Sequence, residues 1–203
     1  MTRTSEVHGS TGTHIILVPG FWLGAWAWAA VESGLTRQGH RVTAVTLPGL
    51  DSTVSDRAGV RLDDHIAAIT EAVANTPSSE RVVVVAHSGA GPVAYAASDR
   101  VPDRLARIVY VDSGPLQSGT ALRDDLDPAD VEIPLPSWSE REAEGSSLDG
   151  LDDDMLETFR DRAVPMPAGP ARDTVELADS RRLDVPTTVI CTTVWPIGMF
   201  VVP

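Results

Sequence analysis

The chain's 203 residues suit one domain, or one domain with a substantial insertion, and are enough to bury a core without a metal or disulfide staple. The single cysteine, Cys191, rules out an intramolecular disulfide framework and a multi-cysteine zinc site, and the absence of lysine excludes a Schiff-base, pyridoxal-phosphate or P-loop lysine. A net charge of −13 argues against nucleic acid as the main partner, because a phosphate backbone must be met by positive charge.

The first 13 residues are polar and lack the apolar core and cleavage site of a signal peptide. Residues 15–18, Ile-Ile-Leu-Val, form a short apolar run stopped by Pro19-Gly20, the pattern of a buried strand. Residues 27–38 read as a helix ended by Gly39, and 42–46 as a second strand closed by Pro48-Gly49. Leu62, Ile66, Ile69 and Val73 recur at helical spacing, which predicts an amphipathic helix over 61–75. The four valines 82–85 are the strongest strand signal, β-branched and apolar on both faces. A helix over 90–100, a strand over 105–111 and a last strand over 187–192 complete the alternation. Buried strands separated by helices imply a three-layer α/β fold with a mostly parallel sheet.

Between the fourth and fifth strands the alternation stops. Residues 116–182 are rich in proline and acid, with one helix expected near 151–163, and read as a lid over a core made of 1–115 and 183–203. Residues 123–161 hold 14 acidic and 3 basic side chains, which reads as a solvated surface. Asp152-Asp153-Asp154 lacks the glycine and terminal glutamate of a calcium loop, so neither a metal nor another cofactor is expected. Residues 185–203 are uncharged, but Pro186 and Pro196 interrupt them and they fall short of the roughly 20 apolar residues of a membrane helix. A soluble, cytoplasmic protein is expected.

The chemistry concentrates at Ala86-His-Ser-Gly-Ala90, where a buried strand runs into a helix. A serine at such a turn is lifted clear of the sheet and faces the helix N-terminus, which favours developing negative charge. Close packing demands small residues two before and two after it, and Ala86 and Ala90 meet that demand in place of the usual glycines. Ser88 therefore reads as a nucleophile in preference to a plain helix cap. The loop after the first strand, Gly20-Phe-Trp-Leu-Gly24, can aim a backbone N–H at that serine. Phe21 and Gly89 are the candidate oxyanion donors, and Trp22 a candidate substrate contact. Trp22, Trp26 and Trp28 read equally as core aromatics. Asp112, at the end of the fourth strand, stands either as the acid of a triad or as a turn residue before Ser113-Gly114.

Val18-Pro-Gly-Phe21 with Gly24-Ala-Trp-Ala-Trp28, the stretch from Gly39 to Gly49, His87-Ser88-Gly89 and Val109-Tyr-Val-Asp112 resemble the α/β-hydrolase superfamily, in the branch of plant methyl esterases, hydroxynitrile lyases and similar bacterial hydrolases. The resemblance covers residues 14–115 well and 185–192 moderately. It implies that Ser88 forms an acyl-enzyme from a small carboxylic ester, with Phe21 and Gly89 as the oxyanion hole. Pro19 stands where the superfamily often has histidine. Lyases of this branch hold cyanide with a lysine, which this chain lacks.

The superfamily orders its triad as serine, acid, histidine. Here the histidines are His8, His14, His40, His65 and His87, and none follows Ser88. His14 and His40 fall at the wrong end of the sheet, His65 is expected half-exposed on its helix, and His87 is expected to point away from Ser88. Where the family acid often follows the Cys191 strand, the chain reads Thr193-Val194-Trp195. A truncated, frameshifted or internally deleted product is expected, and with it the alternative of an impaired hydrolase scaffold that binds a small ligand or partner. Residues 187–192 are then an unprotected sheet edge. Self-association through that edge, or residues 194–203 folded back over it, is expected.

Overall fold

Residues 12–53, 56–143, 148 and 150–191 are described in a computed structural model of the chain. The buried run after Gly12 forms β1 (Thr13–Val18), followed by a 3₁₀ turn (Ala25–Trp28) and α1 (Ala29–Arg37). Then come β2 (Arg41–Ala44), α2 (Leu62–Ala74), β3 (Arg81–His87), α3 (Ala90–Arg100) and β4 (Leu105–Val111). A long excursion carries β5 (Glu132–Ile133), α4 (Trp138–Ala143), α5 (Asp153–Arg162), β6 (Met166–Pro167) and α6 (Ala168–Arg172) before the chain rejoins the sheet as β7 (Thr187–Ile190).

Five strands pair in parallel in the order β2–β1–β3–β4–β7, with the valine-rich β3 at the centre. The path from β1 to β2 runs one way across the sheet, and every later crossover runs the other way. Parallel crossovers are right-handed, so α1 covers one face while α2 and α3 cover the opposite one. This is the three-layer α/β arrangement that the alternation predicts.

The two faces are not equally dry. Ile16, Val82, Val84, Ala86 and Ile108 pack with Ile66, Ile69, Val73, Val93 and Ala97 in one core under α2 and α3. On the α1 side, Val83 and Val85 stay half-exposed, and α1 itself buries no residue. The continuous valine run therefore overstates how fully the second face is covered.

Several boundaries move. The helix expected over 27–38 opens as the 3₁₀ turn, and β2 stops at Ala44 before the Pro48-Gly49 turn. In the excursion, α5 falls inside the expected helix, but β5, β6, α4 and α6 carry no periodic signal because each is six residues or fewer. Tertiary contacts define them. Ala168 N–H donates to Val131 O at 3.0 Å, and Gly169 lies so close to the Val60 carbonyl that a side chain there would collide. The residues expected as an apolar tail, 194–203, lie outside the described ones, and β7 is the sheet's edge among those described, with Val189 and Ile190 each 46% exposed.

The excursion is bound back to the core by polar ties. Asp173 accepts from Arg61 Nε at 2.9 Å, from the other guanidinium arm at 2.7 Å and from Leu62 N–H at 3.0 Å, so it caps α2 from outside the helix. Asp99 in α3 accepts from the N–H groups of Ala178 and Asp179 and pairs with Arg182 at 3.2 Å. Asp173→Ala should lower unfolding stability by about 1–2 kcal/mol in urea titration, and Asp173→Asn, which keeps an acceptor for Leu62 N–H, by about half as much.

Candidate active site

β3 ends at His87, α3 begins at Ala90, and Ser88 makes the turn between them with φ +50°. Three hydrogen bonds fix its backbone. Ser88 N–H donates to Val111 O at 3.0 Å, and the Ser88 carbonyl accepts from Gly91 N–H at 3.0 Å and from the Ser113 hydroxyl. The Ser88 side chain is exposed, while Ala86 and Ala90 beside it are buried, so the small residues sit where close packing requires them.

Two glycines allow the approach. A side chain at Gly91 would run into the Ser113 hydroxyl, and one at Gly89 would run into the Phe21 ring. Phe21 thus occupies the space that a larger residue after the serine would take. The Phe21 and Gly89 N–H groups make no hydrogen bond with another described residue.

Trp22 follows, edge-on to Phe21 at 5.7 Å, with φ +67°. Its indole N–H is shared between the carbonyls of Ile133 (3.2 Å) and Pro134 (3.1 Å), and its own carbonyl accepts from Val164 N–H at 3.0 Å. The Arg141 guanidinium lies 5.7 Å from its ring centre. Trp26 and Trp28 are half-buried, not core residues. Arg162 covers Trp26 at 5.1 Å and Phe159 meets the same ring edge-on. Sequence reading missed these partners, because nothing in an acidic, proline-rich segment indicates which arginine meets which ring.

Asp112 sits at the end of β4 with φ +44°, its N–H donating to Ile190 O at 2.9 Å. Trp22, Ser88 and Asp112 are the only non-glycine residues with positive φ among those described. Such backbone persists where the surroundings enforce it, and it clusters at functional sites. Ser113, which sequence reading took for part of a turn, is the missed residue that ties the Asp112 segment to Ser88.

The histidines divide by place. His14 is buried at the far end of the sheet between Thr76 and Thr43 hydroxyls, at 2.5 and 2.9 Å. His65 is not half-exposed: it is fully buried, because α2 turns it inward to donate from Nε2 to Pro48 O at 2.8 Å. Burial lowers its pKa to about 4, so it is neutral at pH 7. His87 meets Trp28 edge-to-face at 6.3 Å, and burial also lowers its pKa, opposed by the Asp112 charge.

A cleft of about 360 Å³ lies between the 3₁₀ turn, Leu50–Ser52 and the end of α5, and Ser88 does not line it. No group of three or more His, Cys, Asp or Glu side chains among the described residues is arranged to hold a metal ion.

The model of the alpha/beta hydrolase family matches residues 15–198. Methylesterase 1 of Arabidopsis thaliana is 31% identical over 142 residues, covering 68% of this chain and 54% of that protein. Rice esterase PIR7B (Oryza sativa subsp. japonica) is 35% identical over 109 residues, 52% of this chain and 40% of that protein. The chain thus spans about half the length, or less, of these curated relatives. Among solved structures, an extracellular alpha/beta-hydrolase from a Paenibacillus species superposes with a TM-score of 0.71 at 20% identity, over 88% of this chain and 77% of that one. The Arabidopsis methylesterase MES16 gives 0.69 at 19%, over 87% and 76%. The chain belongs to the alpha/beta hydrolase family.

Two outcomes follow from the packing at this site. Gly91→Ala should cost about 1–3 kcal/mol in urea unfolding, because Ser113 has to give way and its bond to the Ser88 carbonyl is lost. His65 binds a proton more readily unfolded, near 6.5, than folded, near 4. Its contribution to stability is therefore complete above pH 6.5 and is lost as pH falls towards 4, by roughly 3 kcal/mol in all. In His65→Gln, unfolding titrated from pH 7 to 4 should show a shallower fall than in the parent chain.

Proposed function

We propose that the chain is a hydrolase of small carboxylic esters in which Ser88 is the nucleophile. The observation that carries this reading is the exposed serine on a strained strand-to-helix turn, beside two backbone N–H groups that no described residue uses. In that reading the Ser88 hydroxyl oxygen attacks the ester carbonyl carbon and gives up its proton to a base. The Phe21 and Gly89 N–H groups hold the oxyanion, the alcohol leaves with a proton, and water then releases the acid from the acyl-serine. Asp112 is the acid of the site, and its charge favours protonation of the neighbouring His87. Residues 116–182 act as the lid, and no cofactor takes part. The named activities of the relatives, methylesterase and esterase, support the reaction class.

A second reading has its own observation. Of the histidines that lie buried in the fold, His14 and His65 are committed to other partners. Without a base, serine is a poor nucleophile, and what remains is binding and oxyanion stabilisation. The chain then serves as a scaffold that holds a small ligand or a partner, and β7, the sheet edge among the described residues, is the surface through which a second copy pairs.

An ester-like fluorophosphonate separates the two readings. Ser88 activated as a nucleophile labels in the parent chain and not in Ser88→Ala, as read by intact mass. Equal labelling of the two proteins, or none in either, leaves the scaffold reading.

A further inference from the structure

Trp22 is joined to the excursion at three places and to the Ser88 turn at one. Its indole N–H is held by the carbonyls of Ile133 and Pro134, at the end of β5. Its carbonyl is held by Val164 N–H, just after α5. Arg141 of α4 covers its ring. On the other side, Trp22 meets Phe21 edge-on, and the Phe21 ring lies against Gly89. The backbone of Trp22 is left-handed, at φ +67°. A bulky residue does not hold that conformation unless its surroundings compel it, and the strain amounts to a free-energy cost that the bonds must offset.

We infer that Trp22 is a positioning residue: the 116–182 segment, by gripping its indole N–H and its carbonyl, holds the Phe21 N–H in the direction the oxyanion needs. This rests on the proposal that Ser88 is a nucleophile. It differs from a substrate contact, because the polar atom of the side chain is already spent on Ile133 and Pro134. The donors on which the grip depends are the Trp22 indole and Val164, and its acceptors are main-chain carbonyls that a side-chain change in the excursion does not remove. When the segment lifts, Trp22 loses the bonds that enforce its strained backbone and relaxes towards negative φ. Rotation about the Trp22 N–Cα bond turns the Phe21–Trp22 peptide and, through the Phe21 Cα, the Gly20–Phe21 peptide that carries the Phe21 N–H, so that donor loses its aim. Closure of the segment and assembly of the oxyanion site are then a single event, the usual outcome when closing elements complete a catalytic constellation.

The test is Trp22→Phe in the full chain, which keeps an aromatic ring against Phe21 and Arg141 but removes the indole N–H. Fluorophosphonate labelling of Ser88 is followed at increasing probe concentration, to separate the saturating rate from the half-saturating concentration. Hydrogen exchange of residues 131–136 and 163–166 is read in parallel. Positioning predicts a saturating rate lower by roughly 10-fold, less than the roughly 100- to 1,000-fold of a donor removed outright because here the donor is only misaimed, a half-saturating concentration changed less than about 2-fold, and faster exchange in both segments. A substrate contact would instead raise the half-saturating concentration and leave the saturating rate alone, which overturns the inference. Faster exchange with unchanged labelling kinetics also overturns it, while the serine reading stands. Absence of Ser88 labelling in the parent chain overturns both. Trp22→Gly guards against misfolding as the cause: it permits φ +67° without strain, so it should label faster than Trp22→Phe even though it packs less well, and labelling no faster than Trp22→Phe overturns the inference.

Discussion

The turn at Ser88 sets the conditions that its surroundings have to meet. Here a buried parallel strand passes into a helix within two residues, and the residue that takes left-handed backbone in that turn is a serine at φ +50°. Holding it there requires hydrogen bonds on both of its peptide groups and neighbours small enough to let the strand, the helix and the first loop converge. Val111, Gly91 and Ser113 provide the bonds. Ala86, Ala90, Gly89 and Gly91 provide the space. The valine core under α2 and α3 supplies the rigidity, since a loosely packed centre would let the turn relax to ordinary backbone.

Charge is arranged around the same point. The excursion is strongly acidic in sequence, yet the cations at its inner side are laid on aromatic rings: Arg141 on Trp22, Arg160 on Trp138 at 4.0 Å, and Arg162 on Trp26. Stacked guanidinium groups hold a polar segment against half-buried aromatic rings, each ring accepting the cation on its face. Trp22 and Trp26 therefore serve as an attachment surface for the excursion, Trp22 while it also packs against the apolar core.

Regular structure was legible because β1 and β3 are continuous apolar runs, bounded for β1 by Pro19-Gly20, and α2 carries its buried face at helical spacing. Ser88 and its small neighbours were legible for a related reason: close packing constrains residue size locally. What escaped was set by distant partners. His65 lies on a helix whose polar Asp63 and Asp64 suggest solvent, and only the Pro48 carbonyl, brought in from the turn after β2, explains why it points inward. Ser113 looked like a turn residue because its acceptor is a carbonyl 25 positions earlier. The short elements of the excursion have too few residues for any period to appear, so tertiary contacts alone define them.

The three strained residues have separate supports, and this distributes control of the site. Ser88 is held from β4 and from Ser113, Trp22 from the excursion, and Asp112 from Ile190 at the end of β7. Each departure from ordinary backbone is worth on the order of 1–3 kcal/mol, a sizeable part of the roughly 5–15 kcal/mol that stabilises a domain. Strain of that size is kept only while the element opposite stays in place. The supports of Ser88 come from the end of β4, an interior strand of the sheet, and from the buried Ser113. Those of Trp22 and Asp112 come from a surface excursion and from β7, the edge strand among the described residues, where local opening is least costly. Loosening either of these peripheral elements can therefore disturb the surroundings of Ser88 while the serine turn itself remains intact.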